Sequence, residues 1–241
     1  MLNINANILG AKGRRLPYPV QLNPVLYLSK TNGKFVTSVD GSDTYVNEWI
    51  DPYTGKKATQ TTGDYRPKLV SNGVEFDGAD DYLNVSAIDF TSSSFTICVA
   101  IRVSNISSDS FRGLIGEDYT PGSYTRIYYR SGIHNEIAFC NRYNDKIEMP
   151  YDFVSTDQFV YLTLIVDNSI DIDNVEFFIN NTSIGVGDLA NTESIIKKIG
   201  TYNDNTGVHY GYLDEISMFD RVLSRFEITD IFNYTKQLKG I

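Results

Sequence analysis

Apolar residues recur at every second position over most of this chain, the spacing of strands that bury one face. FTICVAIRV shows it most clearly: Phe95, Ile97, Val99, Ile101 and Val103 share one face, with Thr96, Cys98, Ala100 and Arg102 opposite. Pro24 to Ser29 predicts the first strand, Asn32 to Gly41 a loop or short ribbon, and Tyr45 to Ile50 a strand leading into the turn cluster Asp51-Pro52 and Thr54-Gly55. Further extended segments are predicted over 111–116, 124–130, 136–141, 146–149, 159–167, 175–180 and 194–199, separated by short polar or Gly-containing loops. In VEFDGADDYLNV, Val74 and Phe76 lie on one strand face, Asp77-Gly78 supplies hairpin-turn chemistry, Asp80 and Asp81 lengthen the turn, and Tyr82, Leu83 and Val85 start the second strand. Near the C-terminus Leu213, Ile216 and Met218 or Phe219 make a strand. The period then becomes helical: Ser224-Arg225-Phe226-Glu227 has the form of a capping box, and Phe226, Ile228, Ile231 and Phe232 follow at helical spacing.

Many short strands and one C-terminal helix, from about Ser224 to Leu238, predict an all-β, two-sheet antiparallel sandwich built as one domain over residues 24–241. Residues 1–23 read differently. They are polar, carry Gly10, Gly13, Pro17 and Pro19, and show no period, so they are expected to form an N-terminal arm. That arm is either a loose tail or a docking segment anchored on a partner by Leu2, Ile4, Ile8 and Leu9.

With 41% hydrophobic and 13% aromatic residues, the 241-residue chain can build a large core. A net charge of -9 argues against a nucleic-acid partner, which needs a basic stripe to meet phosphates. No apolar run reaches the roughly 18 to 20 residues of a membrane helix, so no membrane insertion is expected. At the N-terminus Arg14 and Arg15 follow the apolar residues instead of preceding them, which is not the order of a signal peptide. Cys98 and Cys140 lie on separate predicted strands far apart in sequence; a disulfide between them is one reading, but two buried free thiols are expected.

The hairpin and the C-terminal segment together resemble the concanavalin A-like, laminin-G-like jelly rolls. That family carries an F-D-G-x-x-D-Y hairpin, here Phe76 to Tyr82, and a closing strand and short helix, here GYLDEISMFDRVLSRFEI from Gly211 to Ile228. The segment from Val46 to Val70 is similar too, with Trp49, Asp51, Gly55, Arg66, Pro67 and Leu69 in the family's places. The resemblance implies a two-sheet jelly roll. Related domains occur in phage structural proteins, so it also implies a non-catalytic subunit of a tailed-phage virion, made in the host cytoplasm, as a decoration, fibre or adhesin. Its partners would be other virion proteins, met through the arm or a sheet face. The alternative is a soluble carbohydrate-binding lectin, with a cell-surface glycan as ligand.

Three chemistries have candidate residues. Glucanases of this superfamily set three acids on one strand face, but in Glu75-Phe76-Asp77-Gly78-Ala79-Asp80 the predicted turn takes Asp80 off the face shared by Glu75 and Asp77. No catalytic residue is therefore assigned, and His134 and His209 are isolated. A structural calcium ion, which some relatives carry, has acidic candidates in Asp77, Asp80 and Asp81, in Asp167, Asp171 and Asp173, and in Asp214, and is assigned to Asp77, Asp80 and Asp214. Ligand contact is assigned to YTRIYYR, whose alternation puts Tyr124, Arg126, Tyr128 and Arg130 on one outward face, with Tyr143 nearby in sequence. That face is either a contact surface for sugar or protein or an ordinary solvated one. Trp49 is expected in the core or anchoring a loop.

Overall fold

The computed structural model describes residues 16–104, 110–118, 124–131, 134–141, 145–152, 158–203 and 206–239. After one helical turn, α1 (Tyr18–Gln21), come β1 (Leu26–Ser29), β2 (Lys34–Asp40), β3 (Asp43–Ile50), β4 (Lys57–Thr59), β5 (Lys68–Val70), β6 (Gly73–Asp77), β7 (Leu83–Asp89) and β8 (Phe95–Val103). β9 (Ser110–Gly116), β10 (Arg126–Ser131), β11 (Glu136–Cys140), β12 (Lys146–Pro150), β13 (Val160–Val166), β14 (Val175–Ile179), β15 (Thr182–Gly187) and β16 (Ile195–Ile199) follow. A small ribbon of β17 (Thr201–Asn203) and β18 (Thr206–Val208) leads to the long β19 (Tyr210–Phe219) and then to α2 (Arg225–Lys239).

All pairings are antiparallel. One half of the molecule runs β15-β14-β13-β8-β19 and the other β12-β11-β10-β9-β16-β7-β4-β3-β2. The two were expected to be separate sheets. Among the described residues they form instead one continuous sheet of 17 strands. The cause is the length of β19, whose outer edge serves two short partners in succession: β6 beside Tyr210 to Leu213, then β1 beside Glu215 to Met218. From β6 the hydrogen bonding passes to β5 and, through the pair Lys68 and Tyr45, to β3.

The halves curl to enclose one core. The apolar face of β8 supplies Phe95, Ile97, Val99 and Ile101, and the facing half supplies Ile127, Tyr129, Ile137 and Phe139. Phe95 meets Phe139 edge-on at 6.0 Å and stacks on Phe90 at 4.6 Å, so aromatic burial joins the two halves directly. Trp49 is fully buried and stacks on Phe35 at 5.6 Å.

The second face of β8 is buried as well. Cys98 and Ala100, with Tyr161, Phe178 and Phe219, pack under Leu223, Ile228 and Ile231 around and along α2. Burial on both faces explains why β8 is apolar at nearly every position. Phe226, expected in the apolar stripe of the helix, is 82% exposed. At about 100° per residue it lies about 200° round from Ile228, and Thr235 takes the inward position instead. The capping box forms: Glu227 N–H donates to Ser224 Oγ at 3.3 Å, and Ser224 N–H donates to Glu227 Oε2 at 2.8 Å. Arg221 holds the same carboxylate with two further bonds, at 2.7 and 3.1 Å.

α2 is also tied to the sheet by a buried polar seam. Glu215 is fully buried; it accepts from Thr235 Oγ1 at 3.0 Å and from the Tyr27 hydroxyl at 3.1 Å. Burial pushes its carboxyl up to about 7. Residues 16–23, the end of the segment read as an arm, form the α1 turn, with Tyr18 and Leu22 packed beside α2. A proline entering a helix costs no hydrogen bond, so Pro17 and Pro19 suit this first turn. Residues 1–15 lie outside the described residues. Cys98 and Cys140 are buried free thiols. Among the described residues no helix is long and apolar enough to cross a membrane.

Candidate functional site

β10 alternates as its sequence predicts. Ile127 and Tyr129 enter the core, while Arg126, Tyr128 and Arg130 take the other face. That face is not the open platform expected. The β17–β18 ribbon folds across β9 and brings Tyr202 to 6.2 Å from Tyr128, ring to ring. Two glycines of β9 allow this approach: a Cβ on Gly113 would collide with the Tyr202 amide nitrogen, and one on Gly116 would sit 2.6 Å from Tyr202 Cα. Tyr128 is consequently only 1% exposed, packed with Ala138 and Cys140, and its hydroxyl donates to Glu148 Oε1 at 3.3 Å. Tyr128 is therefore a supporting residue and not a ligand platform.

Its neighbours are better placed. The Arg126 guanidinium lies 4.6 Å from the Tyr124 ring centre, 5.0 Å from that of Tyr128 and 5.4 Å from that of Tyr202, in a cage of three rings. Arg130 lies 4.7 Å over Phe111 and pairs with Glu136 at 2.8 Å. Phe111 is 42% exposed and meets Tyr128 edge-on at 5.4 Å. Phe111, Tyr124 and the rim of Arg126 thus form a pre-ordered aromatic and cationic surface. Tyr143 lies outside the described residues. The sequence reading missed Phe111 and Tyr202. The signal for Tyr202 was the pair Gly113 and Gly116 on one strand, which marks a close backbone approach.

The acidic candidates separate. The β6–β7 turn forms as predicted, with Gly78 at φ 78 and a Cβ position only 2.8 Å from Tyr210 Cβ, so no other residue fits there. Asp77 Oδ1 accepts from the N–H of Ala79 at 2.7 Å and of Asp80 at 3.3 Å; Asp81 Oδ2 accepts from Asp77 N–H at 2.9 Å. Asp77, Asp80 and Asp81 each offer an oxygen, all within 4.8 Å of one another. Burial, then the charges of Asp77 and Asp80, push the Asp81 carboxyl up to about 7, although the Asp77 N–H favours its charged form. Hard oxygens crowded at mutual cost have the chemistry of a calcium site.

Asp214, assigned to the same site, is not part of it. Its buried carboxylate is ion-paired with Lys239 at the end of α2. The shift of register between Leu213 and Glu215 places this pair at the helix, and Asp81 completes the acidic trio instead. Glu75 accepts from the Tyr212 hydroxyl at 2.9 Å. The cleft beside the trio, 720 Å³, is shared by Asp64, Arg66, Lys68, Tyr45 and Tyr210. His209 is buried with Nδ1 3.1 Å from the Tyr129 hydroxyl, and burial pushes it down to about 3, so it stays neutral and structural.

No curated protein matches this chain. Among solved structures, the sialidase of Trypanosoma rangeli in complex with 2,3-difluorosialic acid is similar at 14% identity and a TM-score of 0.61, covering 91% of this chain and 34% of its own. The binding domain of botulinum neurotoxin DC in complex with rat synaptotagmin II is similar at 14% identity and a TM-score of 0.53, covering 87% of this chain and 51% of its own. The chain thus spans about a third of the sialidase and half of the toxin domain, and at such identity both likenesses show the fold alone. A laminin G domain model matches residues 77–229, well over half of the chain, from the hairpin turn through the closing strand into α2. On that match the protein belongs to the concanavalin A-like lectin/glucanases superfamily.

Proposed function

We propose that this domain is a non-catalytic recognition subunit of a larger assembly, and that the assembly is a tailed-phage virion. The observation that carries the recognition role is the Arg126 cage beside the exposed ring of Phe111, while the virion part rests on the resemblance of the hairpin and closing strand to phage structural domains. Arginine and aromatic side chains already ordered in the free protein lose little entropy on contact, the usual character of residues that dominate an interface. The non-catalytic part rests on how the acids are used. The two-carboxylate route used by most glycosidases needs both acids free to work across one bond. Glu75 is engaged by Tyr212, and Asp77 holds its own turn.

The lectin reading has its own support, because Phe111 and Tyr124 offer rings against which a sugar face could stack. Of the similar structures, one holds 2,3-difluorosialic acid and one a second protein, synaptotagmin II. The discriminating experiment purifies particles assembled with wild-type protein or with Phe111→Ala and Arg126→Ala. Loss of the variant from particles supports attachment through this face, and wild-type incorporation refutes it. Glycan binding that depends on the same two side chains would move the assignment to the lectin. Release of reducing sugar from a β-glucan panel, lost in Glu75→Gln, would overturn the non-catalytic reading.

A further inference from the structure

We infer that the groove between α1, α2 and the turn after β1 is a separate binding site for a neutral saccharide. It encloses 790 Å³ on the helical side of the molecule. α2 presents two stripes. Ile228, Ile231 and Thr235 face the sheet, whereas Asp230, Asn233, Tyr234 and Gln237, at spacing i, i+3, i+4 and i+7, line the groove. Tyr18 of α1, Asn32 of the β1–β2 turn and Tyr53 of the turn after β3 form the opposite walls.

The walls are already fixed. Asn32 Nδ2 donates to the Tyr234 hydroxyl at 3.1 Å and to that of Tyr27 at 3.2 Å, and Tyr27 is itself bonded to buried Glu215. Burial, and then the neighbouring Asp230 carboxylate, push the Tyr18 phenol up to about 12, so it remains a neutral donor. The Tyr53 ring is 42% exposed and packs at 6.1 Å from Tyr27. The amides of Asn233 and Gln237 make no hydrogen bond among the described residues and stand on the same wall.

Three phenol rings, four carboxamides and one carboxylate suit one ligand class. Ring faces accept the C–H face of a pyranose, and carboxamides give both donors and acceptors to its hydroxyls. No lysine or arginine lines the groove, and Asp230 would repel an anion. An acidic sugar is thus disfavoured here, in contrast to the arginine-bearing face of β10. The two sites are independent, and failure of one leaves the other standing.

The test is saturation-transfer NMR on the full chain with maltotriose, cellotriose, mannotriose and triacetylchitotriose, and with a sialic acid trimer as the acidic probe. At least one neutral trisaccharide should bind and the sialic acid trimer should not. Tyr53→Ala, and Asn233→Ala combined with Gln237→Ala, should each weaken binding about tenfold, the scale of one or two lost contacts. Arg126→Ala should leave it unchanged. Asn233 and Gln237 are exposed, so their variants will fold. The inference is overturned if no neutral trisaccharide binds, if the sialic acid trimer binds equally well, or if the double variant retains wild-type affinity. A peptide or protein that binds the groove while every trisaccharide fails would overturn it equally.

Discussion

Replacing Glu215 by Gln should make stability less dependent on pH. The side chain is fully buried between β19 and α2, accepts from Thr235 and Tyr27, and sits beside the Asp214–Lys239 ion pair. Burial first, and the charge of Asp214 with it, raises its carboxyl from 4.5 to about 7, against the opposing pull of Thr235, Tyr27 and Lys239. A folded-state value above the unfolded one means that the native protein holds the proton more tightly. The stability this contributes is complete below pH 4.5 and is lost as pH rises through 7. At about 1.4 kcal/mol per pKa unit, the loss is on the order of 3 kcal/mol by pH 8.5. Glutamine has the same shape and does not titrate. Its amide keeps one acceptor, and one hydroxyl must turn to accept from the new NH₂, at a pH-independent cost of about 1 kcal/mol. Urea denaturation followed by the fluorescence of the single, buried Trp49 reads the outcome. The variant should be slightly less stable than wild type at pH 5 and about 2 kcal/mol more stable at pH 8.5. Asp81 also rises, but it is present in both proteins and cancels. A stability difference that is the same at both pH values would refute the reasoning.

Ser224→Ala removes the bond from Glu227 N–H and should cost about 0.5 to 2 kcal/mol. An unchanged denaturation midpoint with α2 still present by circular dichroism would show that this cap contributes nothing. Calcium should raise the melting temperature through Asp77, Asp80 and Asp81, by about 2.7 kcal/mol of stability at a hundredfold excess over Kd. The rise should vanish in Asp80→Asn with Asp81→Asn and persist in Asp214→Asn; equal melting in calcium and in chelator would exclude the site. Gly113→Ala should destabilise by about 1 to 3 kcal/mol, because the new methyl group meets the Tyr202 backbone and displaces the ribbon. Wild-type stability in this variant would show that the ribbon does not rest on β9 in solution.

Elements set by short-range chemistry were legible in the sequence. The two faces of β8, the Asp77-Gly78 turn and the Ser224–Glu227 box each depend on residues within a few positions, and each forms as its local pattern requires. The family motifs were legible for the same reason, since they are runs of local turns and strand faces. What only the tertiary structure decided depends on partners far along the chain. Alternation told which residues of β10 share a face, but not that residues 201–208 would cover that face and bury Tyr128. The outer edge of β19 joins two expected sheets into one because β1 and β6, from the other end of the chain, meet it in succession. Asp214 turned to Lys239 on α2, a pairing that side-chain periodicity does not carry, whereas Asp81 joins Asp77 and Asp80 within the hairpin turn itself. A two-residue period reports only that a strand has two faces. Whether water, a ribbon or a helix lies over each face is a long-range packing choice, made when the whole apolar surface of the sheet has to be covered at once.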